Sequence, residues 1–259
     1  MALYLSVIDA SKEFILPVEL TVVVAMVLGG LVQSTTGFGF GLVALPILAS
    51  ATSFGLATPL LALNGVGNGM FMWLHYRRHF QWAAVRRMVI AAIAGIPVGL
   101  YGLKYAPEAA MLVVLGVIIG GYALYSLIQV ASPKLRSPFW AYGFGFCSGM
   151  LSGAYNIPGP PAVFYGHCCG WAPDQFKGNL TGFFAFNTAT VIIGHALQHR
   201  ITLDVLRLLA IALPCSLIGF TIGTYLSRFI HPATFRTLVL VLLIITGIRL
   251  VLAGLGLQG

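Results

Sequence analysis

Long apolar runs separated by short polar stretches fill almost the whole chain. Runs over about residues 56–76, 88–103, 109–130, 178–197, 203–226 and 233–253 predict six membrane-crossing helices. They are longer than the roughly 10 residues of a barrel strand and lack its period-two alternation, so they are helical. Two further runs are interrupted midway. One begins at Pro17 and breaks at Gln33-Ser34-Thr35-Thr36-Gly37-Phe38-Gly39-Phe40-Gly41, before a short apolar stretch over residues 41–51. The other covers residues 139–169 and breaks at Ser152-Gly153-Ala154-Tyr155-Asn156-Ile157-Pro158-Gly159-Pro160-Pro161. Hydrocarbon offers no partner for a free N–H or C=O, so broken backbone at membrane depth must be buried in protein or line a cavity. Broken segments at matching points of two halves point to the binding site of a carrier.

The two breaks lie about 119 residues apart, and Asn68 and Asn187 are separated by the same interval. His75 and His79 precede His195 and His199 by 120. The pairs Gly95/Gly99 and Gly219/Gly223 share a four-residue spacing that lets helices approach closely, inside the molecule or across a homodimer. The pattern predicts an all-α polytopic membrane protein of two repeats, residues 1–131 and 132–259. Each repeat holds a broken or re-entrant helix pair plus three spans. Charge does not orient the repeats: parallel and inverted arrangements each place nine basic residues in the cytoplasm when the loop over residues 77–87 is inside. Length does favour one of them. Residues 41–51 span only about 16 Å as a helix, which suits a re-entrant half-helix and hence inverted repeats.

Composition narrows the class. The chain is 59% hydrophobic and 8% charged, with a mean hydropathy of +0.95. A soluble domain carries roughly 25% charged residues, so little of this chain is left for one. The net charge of +8 could suggest nucleic acid. However, Arg77, Arg78, Arg86 and Arg87 sit in a short loop between spans, as the positive-inside rule requires, and no nucleic-acid partner is expected. Asp9, Lys12 and Glu13 precede the first apolar run, which does not fit a cleaved signal peptide. Cys147, Cys168, Cys169 and Cys215 lie in apolar segments without a CxxC spacing and read as buried thiols. Neither a metal site nor a cofactor is expected. Haem ligation would need paired mid-membrane histidines, whereas His75, His79 and His195 fall near span ends.

Gly37-Phe38-Gly39-Phe40-Gly41-Leu42-Val43-Ala44-Leu45-Pro46 resembles the glycine-rich break of the TauE/SafE sulfite-exporter family, and Gly149-Met150-Leu151-Ser152-Gly153 through Gly159-Pro160 resembles its second copy. The duplicated Asn-bearing span and the basic loop extend the resemblance over nearly the whole chain. In the second copy Asn156 and Pro158 stand where the family commonly has glycines. The resemblance implies a bacterial inner-membrane carrier of sulfite, thiosulfate or organosulfonates. It implies no enzymatic activity, and the small sulfur anion and the bilayer as partners.

A compact oxyanion suits the unpaired N–H groups and positive dipole end of a helix N-terminus. Half-helices beginning near Gly41 and Pro160 are expected to aim theirs at the membrane midplane. Gly37 and Gly39 let backbone approach the ligand. Gln33, Ser34, Thr35 and Thr36, with Ser152, Tyr155 and Asn156, offer side-chain donors, although such hydroxyls also bond back to their own helix. Asn64, Asn68 and Asn187 lie mid-span, where an amide flanks a site or ties helices together. No carboxylate lies deep in a span, so coupling falls to a proton on His75 or His195, to an ion held by carbonyls, or to neither. The expected activity is secondary transport, as export by alternating access. An anion channel or a carrier of another small solute is the alternative.

Overall fold

The computed structural model describes residues 17–128, 135, 137–226, 229 and 232–257, with backbone alone for Thr36 and residues 232–236. Among these there are ten α-helices, one 3-10 turn and no strand. They are α1 (Val18–Thr36), α2 (Phe40–Ala49), α3 (Phe54–Tyr76), the 3-10 turn Arg77–His79, α4 (Trp82–Tyr105), α5 (Glu108–Ile128), α6 (Trp140–Tyr155), α7 (Gly159–Cys168), α8 (Pro173–Leu197), α9 (Leu203–Leu226) and α10 (Pro232–Gly254). Six of them, α1, α4, α5, α8, α9 and α10, contain a stretch long and apolar enough to cross a membrane. The 23 residues of α3 have the length, but Asn64, Asn68 and four glycines interrupt their apolar character.

Both interruptions are narrower than the sequence suggests. Gln33–Thr36 forms the last turn of α1, and the break proper is Gly37-Phe38-Gly39. Gly37 takes the left-handed conformation (φ 81°) and its N–H bonds the Gln33 carbonyl at 2.8 Å. Gly39 is also left-handed (φ 94°) and starts α2. Likewise Ser152–Tyr155 ends α6, and Asn156-Ile157-Pro158 is the second break. Asn156 is left-handed (φ 56°); its N–H bonds Ser152 O at 2.8 Å and that of Ile157 bonds Leu151 O at 3.3 Å. The bond from the left-handed residue to the carbonyl four positions back is an αL closure, as at Gly37. It explains the asparagine: after glycine, asparagine tolerates that backbone best. Two other elements begin earlier than their apolar runs, α4 at Trp82 and α8 at Pro173, because polar first turns are helical too.

The bundle is interleaved. α1 packs along α9, α6 along α4, and α5 along α10. Each contact brings backbones together through glycine. A Cβ at Gly219 would strike the Val27 carbonyl, one at Gly95 the Phe146 carbonyl, and one at Gly116 the Gly247 carbonyl. The four-residue glycine pairs therefore serve packing inside the molecule. α3 lies antiparallel to α8: Gly65 faces Thr188, and Gly182 faces Trp73 and Phe80. Outward faces such as Ile90, Ile93 and Tyr101 on α4, or Leu238, Ile245 and Ile248 on α10, are exposed and apolar, as a lipid-facing surface requires.

Candidate functional site

The two breaks, far apart in sequence, touch. A Cβ at Gly41 would lie 2.8 Å from the Asn156 carbonyl, and one at Gly159 would lie 3.5 Å from the Phe38 ring. Facing the breaks is the α3/α8 pair. Between them is a cavity of about 100 Å³, several times what one water needs. Its break wall comprises Gln33, Gly37 through Leu42, and Asn156 through Gly159. Its other wall comprises Leu61, Gly65, Gly69 and Met72 of α3 with Thr181, Phe184 and Thr188 of α8.

The strongest electrostatic feature is the start of α2. A helix leaves its first four N–H groups without an internal partner. Here these belong to Gly39, Phe40, Gly41 and Leu42, Val43 being the first residue to bond back, to Gly39 O. No side chain caps them, and all four residues line the cavity. Four adjacent donors at a positive dipole end make a cradle suited to an anion. The start of α7 is different. Pro158, Pro160 and Pro161 have no N–H, which leaves Gly159 as the one donor among its first four positions. The second half-helix thus contributes its dipole but few hydrogen bonds, and the cradle is one-sided.

Of the residues expected at the site, Gln33, Gly37, Gly39 and Asn156 line this cavity. Gln33 Oε1 is buried without a partner, so its amide is free to turn toward a ligand. The others have different surroundings. Ser34 Oγ donates to Leu31 O at 2.9 Å and faces Gly223 of α9. Thr35 Oγ1 donates to Val32 O at 2.9 Å. Both are the back-bonding that hydroxyls adopt in helices. Thr36 ends α1, and its side chain lies outside the described residues. Tyr155 donates to Met111 O at 3.1 Å and packs edge-on against Phe54, bracing α6 against α5 and α3.

The buried asparagines also stand behind the cavity wall. Asn64 Oδ1 accepts a 3.0 Å bond from Ser216 Oγ, tying α3 to α9. Asn187 Nδ2 donates to Phe183 O at 3.1 Å. Asn68 and Ser152 are buried, and their side-chain polar atoms have no partner. His75 is exposed and edge-on to Tyr76. His195 is 1% exposed with both ring nitrogens unpartnered, and it too is absent from the cavity lining.

The residues that sequence reasoning passed over are mainly those of the α3/α8 wall. The 119-residue interval held the signal: Gly65 precedes Phe184, and Gly69 precedes Thr188, by that number. The Lys177 ammonium lies 5.3 Å from the Tyr76 ring centroid. Asn179 Oδ1 accepts the Gln81 N–H at 2.8 Å at the start of α4.

An all-helical bundle with six helices long and apolar enough to cross a membrane, and a cavity walled by two interrupted ones, has the architecture of a polytopic membrane transporter. The chain matches the family described as sulfite exporter TauE/SafE over residues 22–250 and belongs to it. It is 26% identical over 227 residues to a probable sulfite/organosulfonate exporter TauE of Cupriavidus necator, an alignment covering 85% of this chain and 88% of that protein. No solved structure matches.

Proposed function

We propose that this protein exports a small sulfur oxyanion, sulfite or an organosulfonate, across the bacterial inner membrane, and that the cavity between the breaks and the α3/α8 pair is its binding site. The observation that carries the reading is the uncapped cluster of N–H groups from Gly39 to Leu42, set against the second break. The relative's name supports the substrate class. The two halves act as inverted repeats. Each places a left-handed residue at the end of its broken helix, Gly37 and Asn156, 119 residues apart. Rocking of the α3/α8 wall against the breaks exposes the cavity to either side in turn.

The membrane potential supplies the driving force. Glu19, Glu108, Asp174 and Asp204 all occupy first turns of their helices, so no described carboxylate opposes or accompanies the anion at the site. With the interior negative, moving one negative charge outward gains about 2.3 kcal/mol per 100 mV, enough for a roughly fiftyfold outward gradient. One observation favours a second reading: His195 is buried without partners, as a proton-carrying residue would be.

Thermal stabilisation of the purified protein tests the ligand, because a ligand bound to the folded form raises the melting temperature by mass action. Stabilisation is expected with sulfite, thiosulfate or an organosulfonate and not with chloride, and Gln33→Ala should weaken it. Stabilisation only by a cation or a neutral solute would refute the substrate class. Flux into liposomes under an imposed potential then separates the two driving forces. Flux that follows pH rather than voltage, and is lost in His195→Gln, would replace the electrogenic reading with the proton-coupled one.

A further inference from the structure

The two halves furnish the cavity unequally. Gly65 and Phe184 are 119 residues apart, as are Gly69 and Thr188, and all four line the cavity. At the two positions where α8 presents an aromatic ring and a hydroxyl, α3 presents bare backbone. That bareness is not a packing requirement. A Cβ at Gly69 would meet nothing within 4 Å, and one at Gly65 would make only ordinary contact with Thr188, at 3.7 Å. This differs from Gly95, Gly116 or Gly219, where a Cβ would collide with a neighbouring backbone. The space beside Gly65 and Gly69 is therefore cavity, and Phe184, Met72 and Leu61 give that wall its apolar surface beside the hydroxyls of Thr181 and Thr188.

We propose that the α3/α8 wall is an organic-substituent slot, with Gly69 and Phe184 as its size gauge, so that the site takes a sulfonate carrying a short alkyl chain in preference to bare sulfite. The inference rests on the oxyanion reading above. The sulfonate oxygens take the N–H groups of Gly39 to Leu42 and the Gln33 amide on the break wall. The methylenes lie along the α3 backbone beneath the Phe184 ring. Oxygen-rich sulfite gains nothing from that surface, whereas each methylene buried there tightens binding about fourfold. Chain length is limited where the slot ends.

The test is transport by the purified full-length protein in liposomes, with sulfite and methane-, ethane-, propane- and butanesulfonate as probes. Wild type should favour an alkylsulfonate over sulfite and show a length beyond which rates fall. Gly69→Leu grows into the slot from a Cβ that meets no neighbour within 4 Å. It should cut transport of the longer sulfonates at least tenfold more than it cuts transport of sulfite. Phe184→Ala should move the length limit upward by at least one methylene. If Gly69→Leu lowers the melting temperature of the unliganded protein, the Phe184→Ala arm decides alone. Equal effects of Gly69→Leu on sulfite and alkylsulfonates, or an unchanged length limit in Phe184→Ala, overturn the slot while leaving the oxyanion site intact. Failure of wild type to move any probe overturns the oxyanion reading itself.

Discussion

At the scale of single residues, the breaks depend on backbone that few side chains tolerate. Gly37 holds φ 81°, so Gly37→Ala should lower stability by about 1–2 kcal/mol, seen as a fall in melting temperature in detergent. Asn156 holds a similar conformation with a side chain already present, so Asn156→Gly should leave the melting temperature nearly unchanged, whereas Asn156→Leu should lower it. Tyr155 and Gln33 make a second contrast. Tyr155→Phe removes one buried hydrogen bond to Met111 O and should cost about 1 kcal/mol of stability while sparing anion affinity. Gln33→Ala, at the cavity, should weaken affinity several-fold with little change in the melting temperature without ligand.

At the scale of elements, helix pairs are fixed by glycines whose neighbours are backbone. On α6, a Cβ at Gly149 would collide with the Ala92 carbonyl, while one at Gly143 would enter open space. Gly149→Ala should therefore cost about 1–3 kcal/mol through overpacking and Gly143→Ala almost nothing, as monodisperse yield and melting temperature would report. The sequence announced these elements well because apolar length is a strong signal. It announced the breaks too, since glycines and prolines cannot hide in an apolar run. It overstated their extent: whether Gln33 through Thr36 continue a helix is settled by the αL closure at Gly37, a backbone bond no composition shows. It also could not separate Asn68 and Asn187 from the cavity. An amide in a span is costly wherever it points, and one turn of about 100° per residue decides between the pocket and the wall behind it. Gly65 and Gly69 read as ordinary small residues until the space beside them was seen.

At the scale of the whole molecule, the four described carboxylates all sit in first turns of helices, and the proposed electrogenic export makes a prediction about voltage. Sulfite efflux from vesicles should accelerate as the interior is made more negative and stop near the potential that balances the anion gradient. Flux insensitive to voltage would show that another charge travels with the anion.

The interleaving of the two halves also sets a schedule for biosynthesis. The glycine-lined face of α1 is matched by α9, whose Ser216 carbonyl lies against Gly30 roughly 190 residues further along the chain. At about 5–20 residues per second the ribosome needs roughly 10–40 s to deliver that partner. For that interval α1 sits in the bilayer with its closest-fitting surface unoccupied, and a chain truncated before α9 leaves it so permanently. Such a fragment should be bound by membrane chaperones or degraded, and supplying the missing α9 and α10 as a separate polypeptide should rescue it.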